Sequence, residues 1–240
     1  MNRRLPPEPP RAVLIDLDDT LFDHAHSSGV ALRAVYDAYP ALAGVPFATF
    51  QADHAELLEA LHLEVLRGLR TIDAAREERF RLLLAHYTVN GSAAEAAALY
   101  RATYLTDYRP VPGAAALLTW LRGRVAVAVV TNNAQAEQEA KLERLGMTKL
   151  IDALVVSETV GAAKPDPAIF AVALHQLGAA ATQAVMLGDS WAADVRGAHA
   201  VGMRAIWLNR RRRPRPDTTP AAELTSLEPL ASVTALLYSE

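Results

Sequence analysis

No cysteine occurs in the 240 residues, which excludes disulfides, thiolate metal sites and a cysteine nucleophile. Long apolar runs are missing too: none approaches the roughly 20 residues that a membrane-spanning helix requires. The opening MNRRLPPEPP lacks the apolar stretch of a secretory signal, so the expectation is a soluble, cytoplasmic protein with no membrane partner. Net charge is small. At −3 the chain has no basic excess with which to meet a phosphate backbone, and nucleic acid is not an expected partner. The run Arg210, Arg211, Arg212, Arg213 and Arg215 is a local exception, but Pro214 and Pro216 break it, Asp217 follows, and it reads as a solvated loop. What the chain does have is apolar material, 51% of its residues, enough for the core of an α/β domain carrying an insertion.

Ala12 to Ile15 is a short apolar run that stops at acidic residues, as a buried strand feeding a polar loop would. From Asp23 to Asp107 strand patterning is scarce, and Leu57, Leu58, Leu61, Val65 and Leu69 recur at helical spacing. Asn90-Gly91-Ser92 offers a turn and then a Ser cap for a helix beginning near Ala93. Beyond Pro110 the texture alternates. Strands are expected at Val125 to Val130, Ala153 to Val156, Ala184 to Leu187 and Met203 to Leu208. Helices are expected at Gly113 to Leu121, Ala134 to Leu145, Pro167 to Leu177, Trp191 to Ala200 and between Ser226 and Tyr238.

Such alternation predicts an α/β fold, a doubly wound parallel sheet with helices on both faces, formed by residues 1–22 and 108–240. Residues 23–107 are too long for an ordinary connection and are expected to form an all-helical cap domain inserted after the first strand. Departing there, the cap would rise at the carboxyl end of the sheet, where open α/β folds bind ligands.

Asp16-Leu17-Asp18-Asp19-Thr20 follows the first strand, so the carboxylates of Asp16 and Asp18 leave the strand end toward one side. Taken alone, an acidic turn is more often a solvated loop or a helix cap than a catalyst. Three further clusters change that weighting. Thr131 and Asn132 end the second strand, Lys164-Pro165 follows the third, and Gly188-Asp189-Ser190 follows the fourth, with Asp194 five residues after Asp189. All four clusters lie at carboxyl ends of expected strands.

In that order DLDDT, TN, KP and GDSWAAD resemble the four motifs of the haloacid-dehalogenase phosphatase superfamily, over Asp16 to Asp194. The insertion after the first motif is similar to the helical cap of the subclass that includes phosphoglycolate phosphatases. VVSETVGAAKPDPAIF and the segment after GDSWAAD resemble the branch of pyrimidine nucleotidases and acylneuraminate phosphatases. The resemblance implies a Mg²⁺-dependent phosphatase acting on a small phosphorylated metabolite such as a nucleoside monophosphate. Asp16 would be the nucleophile and a metal ligand. Asp18 would serve as general acid and then base, its main-chain carbonyl also meeting the metal. Asp189 would complete the metal ligands, and Asp194 would hold a metal-bound water or support the site from behind. Thr131, with backbone NH groups near Asn132, would bind phosphoryl oxygens, and Lys164 would balance the carboxylates. Thr20 would brace the loop, while Asp19 reads equally as loop support or as solvated.

Among the histidines, His24 and His26 could meet substrate, although surface or capping positions fit them better, and His54 and His62 show no metal-ligand spacing. Three alternatives share much of this pattern: a 2-haloacid dehalogenase, a phosphosugar mutase and a receiver-like phosphoacceptor module. A halide leaves without a proton, which makes Asp18 the discriminating residue against the first.

Overall fold

Four fully buried residues, Ala12–Ile15, form β1, and their β-branched, apolar character suits a strand covered on both faces. The computed structural model describes residues 9–238. The outermost parts of the expected α/β domain, residues 1–8 and 239–240, and most of the proline-rich opening fall outside that range. The other strands are β2 (Ala126–Thr131), β3 (Ala153–Val156), β4 (Ala184–Gly188), β5 (Arg204–Leu208) and β6 (Ala222–Leu224). All pairings are parallel, in the order β3-β2-β1-β4-β5-β6. This is the doubly wound α/β sheet. β6 has no counterpart in the expected strands; its three residues, AEL, are too short to show an alternation.

The chain divides into two compact units, one made of residues 1–23 and 109–240 and one of residues 24–108. The second contains α1 (His24–Ala38), α2 (Phe47–Leu66), α3 (Ile72–His86) and α4 (Ala93–Tyr104), with α1 packed on α4 and α3 on both α2 and α4. Thr71 caps α3 by accepting the amide of Ala74, and Ser92 caps α4 by accepting that of Glu95, each at 3.2 Å. Leu69 departs from its expected place: α2 ends at Leu66, and Leu69 is 73% exposed, because Gly68 takes a left-handed conformation and turns the chain.

In the sheet unit the remaining helices are α5 (Ala114–Leu121), α6 (Gln135–Arg144), α7 (Ser157–Val160), α8 (Pro167–Leu177), α9 (Arg196–Ala200) and α10 (Leu230–Leu237). One face of the sheet, through Leu14, Val130, Met186 and Trp207, packs with Phe170 of α8 and Ala198 of α9. Val13, Ile15, Val127, Val129 and Leu187 point the other way and are equally buried, as strand alternation requires. β1 lies between β2 and β4, so the chain reverses its direction of winding beside β1. The carboxyl ends of β1 and β4 meet at that reversal, the place where sheets of this kind open a crevice. No helix among the described residues is long and apolar enough to cross a membrane.

Candidate active site

Asp16 follows β1, and its amide donates to the carbonyl of Leu187 at 2.9 Å, which fixes it beside the end of β4. Its carboxylate Oδ1 accepts from Lys164 Nζ at 2.6 Å. The same ammonium donates to Asp194 Oδ1 and to the carbonyl of Val130, each at 2.7 Å. Lys164 is thereby fully committed, with all three N–H bonds used. Asp194 reaches this point through a π turn, Trp191–Val195, and its Oδ2 accepts the Ser190 amide at 3.0 Å. Gly188 makes the approach possible: a Cβ there would lie 2.2 Å from Asp194 Oδ2.

Asp16, Asp189 and Asp194 each present a carboxylate oxygen, all within 4.8 Å of one another. Among the described residues, Lys164 is the cation that meets two of them directly. Burial, with repulsion from Asp194 and Asp18 added, raises Asp16 to about 7 against the pull of Lys164. Burial also holds Asp189 well above the usual carboxylate range, helped by Asp16, Asp194 and Asp19. Although burial opposes the charge on Lys164, Asp16 and Asp194 keep it above its ordinary value. Three hard oxygen donors with a deficit of positive charge suit a magnesium ion, so the residues present fit the metal that the sequence implies.

Asp18 belongs to a second set of contacts. Its Oδ1 accepts from Lys141 Nζ at 2.6 Å and its Oδ2 from Gln138 Nε2 at 3.0 Å, and the Gln138 amide also donates to Thr131 Oγ1 at 2.5 Å. Gln138 and Lys141 are fully buried on α6. Sequence reasoning passed over both, since QAEQEAKLER reads as a solvated helix. Their three-residue spacing, which puts them on one helical face, was the available signal.

The side chain of Asn132 is occupied with the backbone of Lys164, accepting its N–H at 2.7 Å and donating to its carbonyl at 2.9 Å. It ties the loop after β3 to the end of β2. Thr20 is fully buried and its Oγ1 has no hydrogen-bond partner among the described residues, which show no bracing bond from it. Asp19 takes a left-handed conformation and pairs with Arg210 and Arg211. The arginine run is therefore only partly a solvated loop. Arg210 also donates to Asp23 at 3.1 Å, and Arg215 meets Glu223 at 3.3 Å. Burial opposes ionisation of Asp23, but hydrogen bonds from Arg109 and Arg210 outweigh it and hold the carboxyl below its usual value. A cleft of about 660 Å³, lined by Gln135, Leu142, Asp152 and Ala153, lies by the amino end of β3, and none of the site groups lines it.

The sheet, the four strand-end clusters and the inserted helices define a class of hydrolase. Residues 10–202 match the haloacid dehalogenase-like hydrolase family, and the chain belongs to it. A receiver-like module is thereby set aside. Ribulose-1,5-bisphosphate 5-phosphatase of Halopiger xanaduensis is 34% identical over 204 residues, covering 81% of this chain and 83% of that protein. Pyrimidine 5'-nucleotidase YjjG of Escherichia coli is 38% identical over 123 residues, covering 50% of this chain and 55% of that one. Among solved structures, the hydrolase YfnB of Bacillus subtilis bound to magnesium shares the fold with a TM-score of 0.80, at 24% identity, over 95% of this chain and 100% of that one.

Proposed function

We propose that the chain is a magnesium-dependent phosphatase that hydrolyses a small phosphate monoester, a nucleoside monophosphate or a metabolite of similar size, through an aspartyl-phosphate on Asp16. One observation carries this reading: Asp16 lies with Asp189 and Asp194 around Lys164, whereas Asp18, two residues on, is held by Lys141 and Gln138. The two carboxylates face different tasks. Residues 24–108 are the cap in this reading.

Phosphate monoesters hydrolyse slowly in water because their negative charge repels a nucleophile. Asp16, Asp189 and the main-chain carbonyl of Asp18 would hold Mg²⁺, which when bound would supply positive charge to offset that repulsion. Asp194 supports that site through Lys164 and the Ser190 amide. An oxygen of Asp16 attacks phosphorus, a new O–P bond forms, and the ester P–O bond breaks. The departing oxygen takes the proton of the Asp18 carboxyl group. Water then gives a proton to Asp18 and attacks the same phosphorus, releasing inorganic phosphate and restoring Asp16. Thr131 and the backbone amides near Asn132 hold phosphoryl oxygens, and Lys164 balances the acids around them.

A dehalogenase would have no use for an acid at Asp18, since halide departs unprotonated. A screen of phosphorylated metabolites with Mg²⁺, run beside chloropropionate and scored by kcat/KM, tests the assignment. Phosphate release is expected, and product analysis separates hydrolysis from transfer to a second sugar hydroxyl. The variant Asp16→Asn should lose about 10⁴-fold or more in turnover while keeping its far-ultraviolet circular dichroism. Halide release without phosphate release, or full activity in that variant, would overturn the proposal.

A further inference from the structure

The helical unit buries a second set of polar groups that the chemistry at Asp16 does not use. Arg79, in α3, is 5% exposed, and its guanidinium carbon lies 4.7 Å from the ring centre of Tyr100 and 5.1 Å from that of Phe80. It forms no hydrogen bond or ion pair among the described residues, and its Nε is fully buried. His54, in α2, is 2% exposed and meets the same two rings, at 5.3 Å and 5.8 Å; its Nε2 is also buried without a partner. Around them Tyr100 shares a hydrogen bond with Ser28 at 2.7 Å, and Tyr104 one with His24 at 2.8 Å.

Among the described residues no carboxylate is paired with Arg79 or His54. The charged and titratable neighbours that act on Arg79 are Tyr100, Tyr104 and Arg76, and those that act on His54 are Arg79 and His24. Ring faces offset only part of the cost of burying a guanidinium. An unpaired buried ion is costly to the fold, and an anion would offset that cost. The guanidinium fork matches the oxygens of carboxylate and phosphate in pairs.

We propose that Arg79 and His54 form an anion-binding site within the helical unit, which takes a carboxylate or phosphate group of a small molecule. Arg79 supplies the charge, the Nε2 of His54 a second polar contact, and Phe80 and Tyr100 the apolar walls. Two sources offer this chemistry: an acidic group that a substrate carries besides the phosphate it loses, or a free oxyanion.

The full chain with Mg²⁺ should be titrated with malonate and with inorganic phosphate, following thermal melting, as wild type, Arg79→Gln and Arg79→Lys. Both probes are expected to raise the wild-type melting temperature, and the malonate midpoint should weaken about tenfold or more in Arg79→Gln. Arg79→Lys keeps the charge without the fork and should fall between; it also keeps the test open if the glutamine variant fails to fold. A second arm compares 3-phosphoglycerate with glycerol 3-phosphate, which lacks the carboxylate. If the anion belongs to the substrate, Arg79→Gln raises the ratio of their KM values about tenfold with little change in the ratio of their kcat values. If it is free, only the melting midpoint moves. The site is overturned if neither probe stabilises wild type, or if neither the midpoint nor the KM ratio depends on Arg79. Failure of wild type to cleave p-nitrophenyl phosphate would sink the phosphatase reading alone and leave the malonate arm standing.

Discussion

The sheet unit and the helical unit bury polar groups on opposite terms. At the carboxyl edge of the sheet Lys164 meets Asp16 and Asp194, Lys141 meets Asp18, and the acids still outnumber the ammonium groups. Among the helices a guanidinium and an imidazole stand between aromatic rings, and no acid among the described residues pairs with either. One region is short of positive charge and the other of negative. Each imbalance points to what would complete it, a cation in the first and an anion in the second.

The sharpest way to break this contrast is to remove the cation that the sheet unit already has. Lys164→Met leaves two buried carboxylates unpaired, and a loss of about 3–5 kcal/mol is expected in urea unfolding. Added Mg²⁺ should restore part of it, because an ion bound only by the native state stabilises that state. Equal stability of variant and wild type without metal would show that the carboxylate cluster bears no net strain of charge. A smaller effect is expected at Lys141→Met, which frees Asp18 on one side. There kcat on p-nitrophenyl phosphate should drop about 10²-fold with little change in KM, the size typical of a displaced general acid. A change confined to KM would mean that Lys141 serves binding and not the proton donor.

The smallest effect concerns pH and the helical unit. Burial, then the charges of Arg79 on α3 and His24 on α1, hold the imidazole of His54 well below its ordinary value of 6.5, while Tyr100 on α4 and Phe80 on α3 close it in. The folded unit thus keeps His54 neutral, whereas the unfolded chain takes a proton near 6.5. Stability present above that pH is lost as pH falls toward the folded value, by up to about 1.4 kcal/mol per pH unit. Comparing melts at pH 7.5 and 5.5, His54→Phe should lose less on acidification than wild type; identical losses would exonerate His54.

What could be read beforehand followed from how local each signal is. The strands around Asp16, Thr131 and Asp189 announce themselves as apolar runs ending in polar residues, and α8 begins at a proline and ends before a glycine. β6 is too brief to carry a period. Lys141 and Gln138 were hidden because a charged helix is read as solvated, and only the fold reveals that Asp18 draws them inward. Arg79 and His54 are harder still. Their surroundings come from α1, α2, α3 and α4, and no spacing along one segment encodes a missing counter-charge.

At the boundary of the sheet unit, the amide of Asp23 donates to the carbonyl of Arg109 at 3.0 Å, and the Asp23 carboxylate receives the Arg109 side chain. The segment between them leaves and rejoins its host through neighbouring backbone positions, as a hairpin would. Its length is consequently almost free to vary: once the ends are pinned, each doubling of a flexible excursion adds only about 0.6 kcal/mol of closure entropy. The clasp formed by Asp23 and Arg109 makes the sheet a chassis to which modules of quite different size can be fitted.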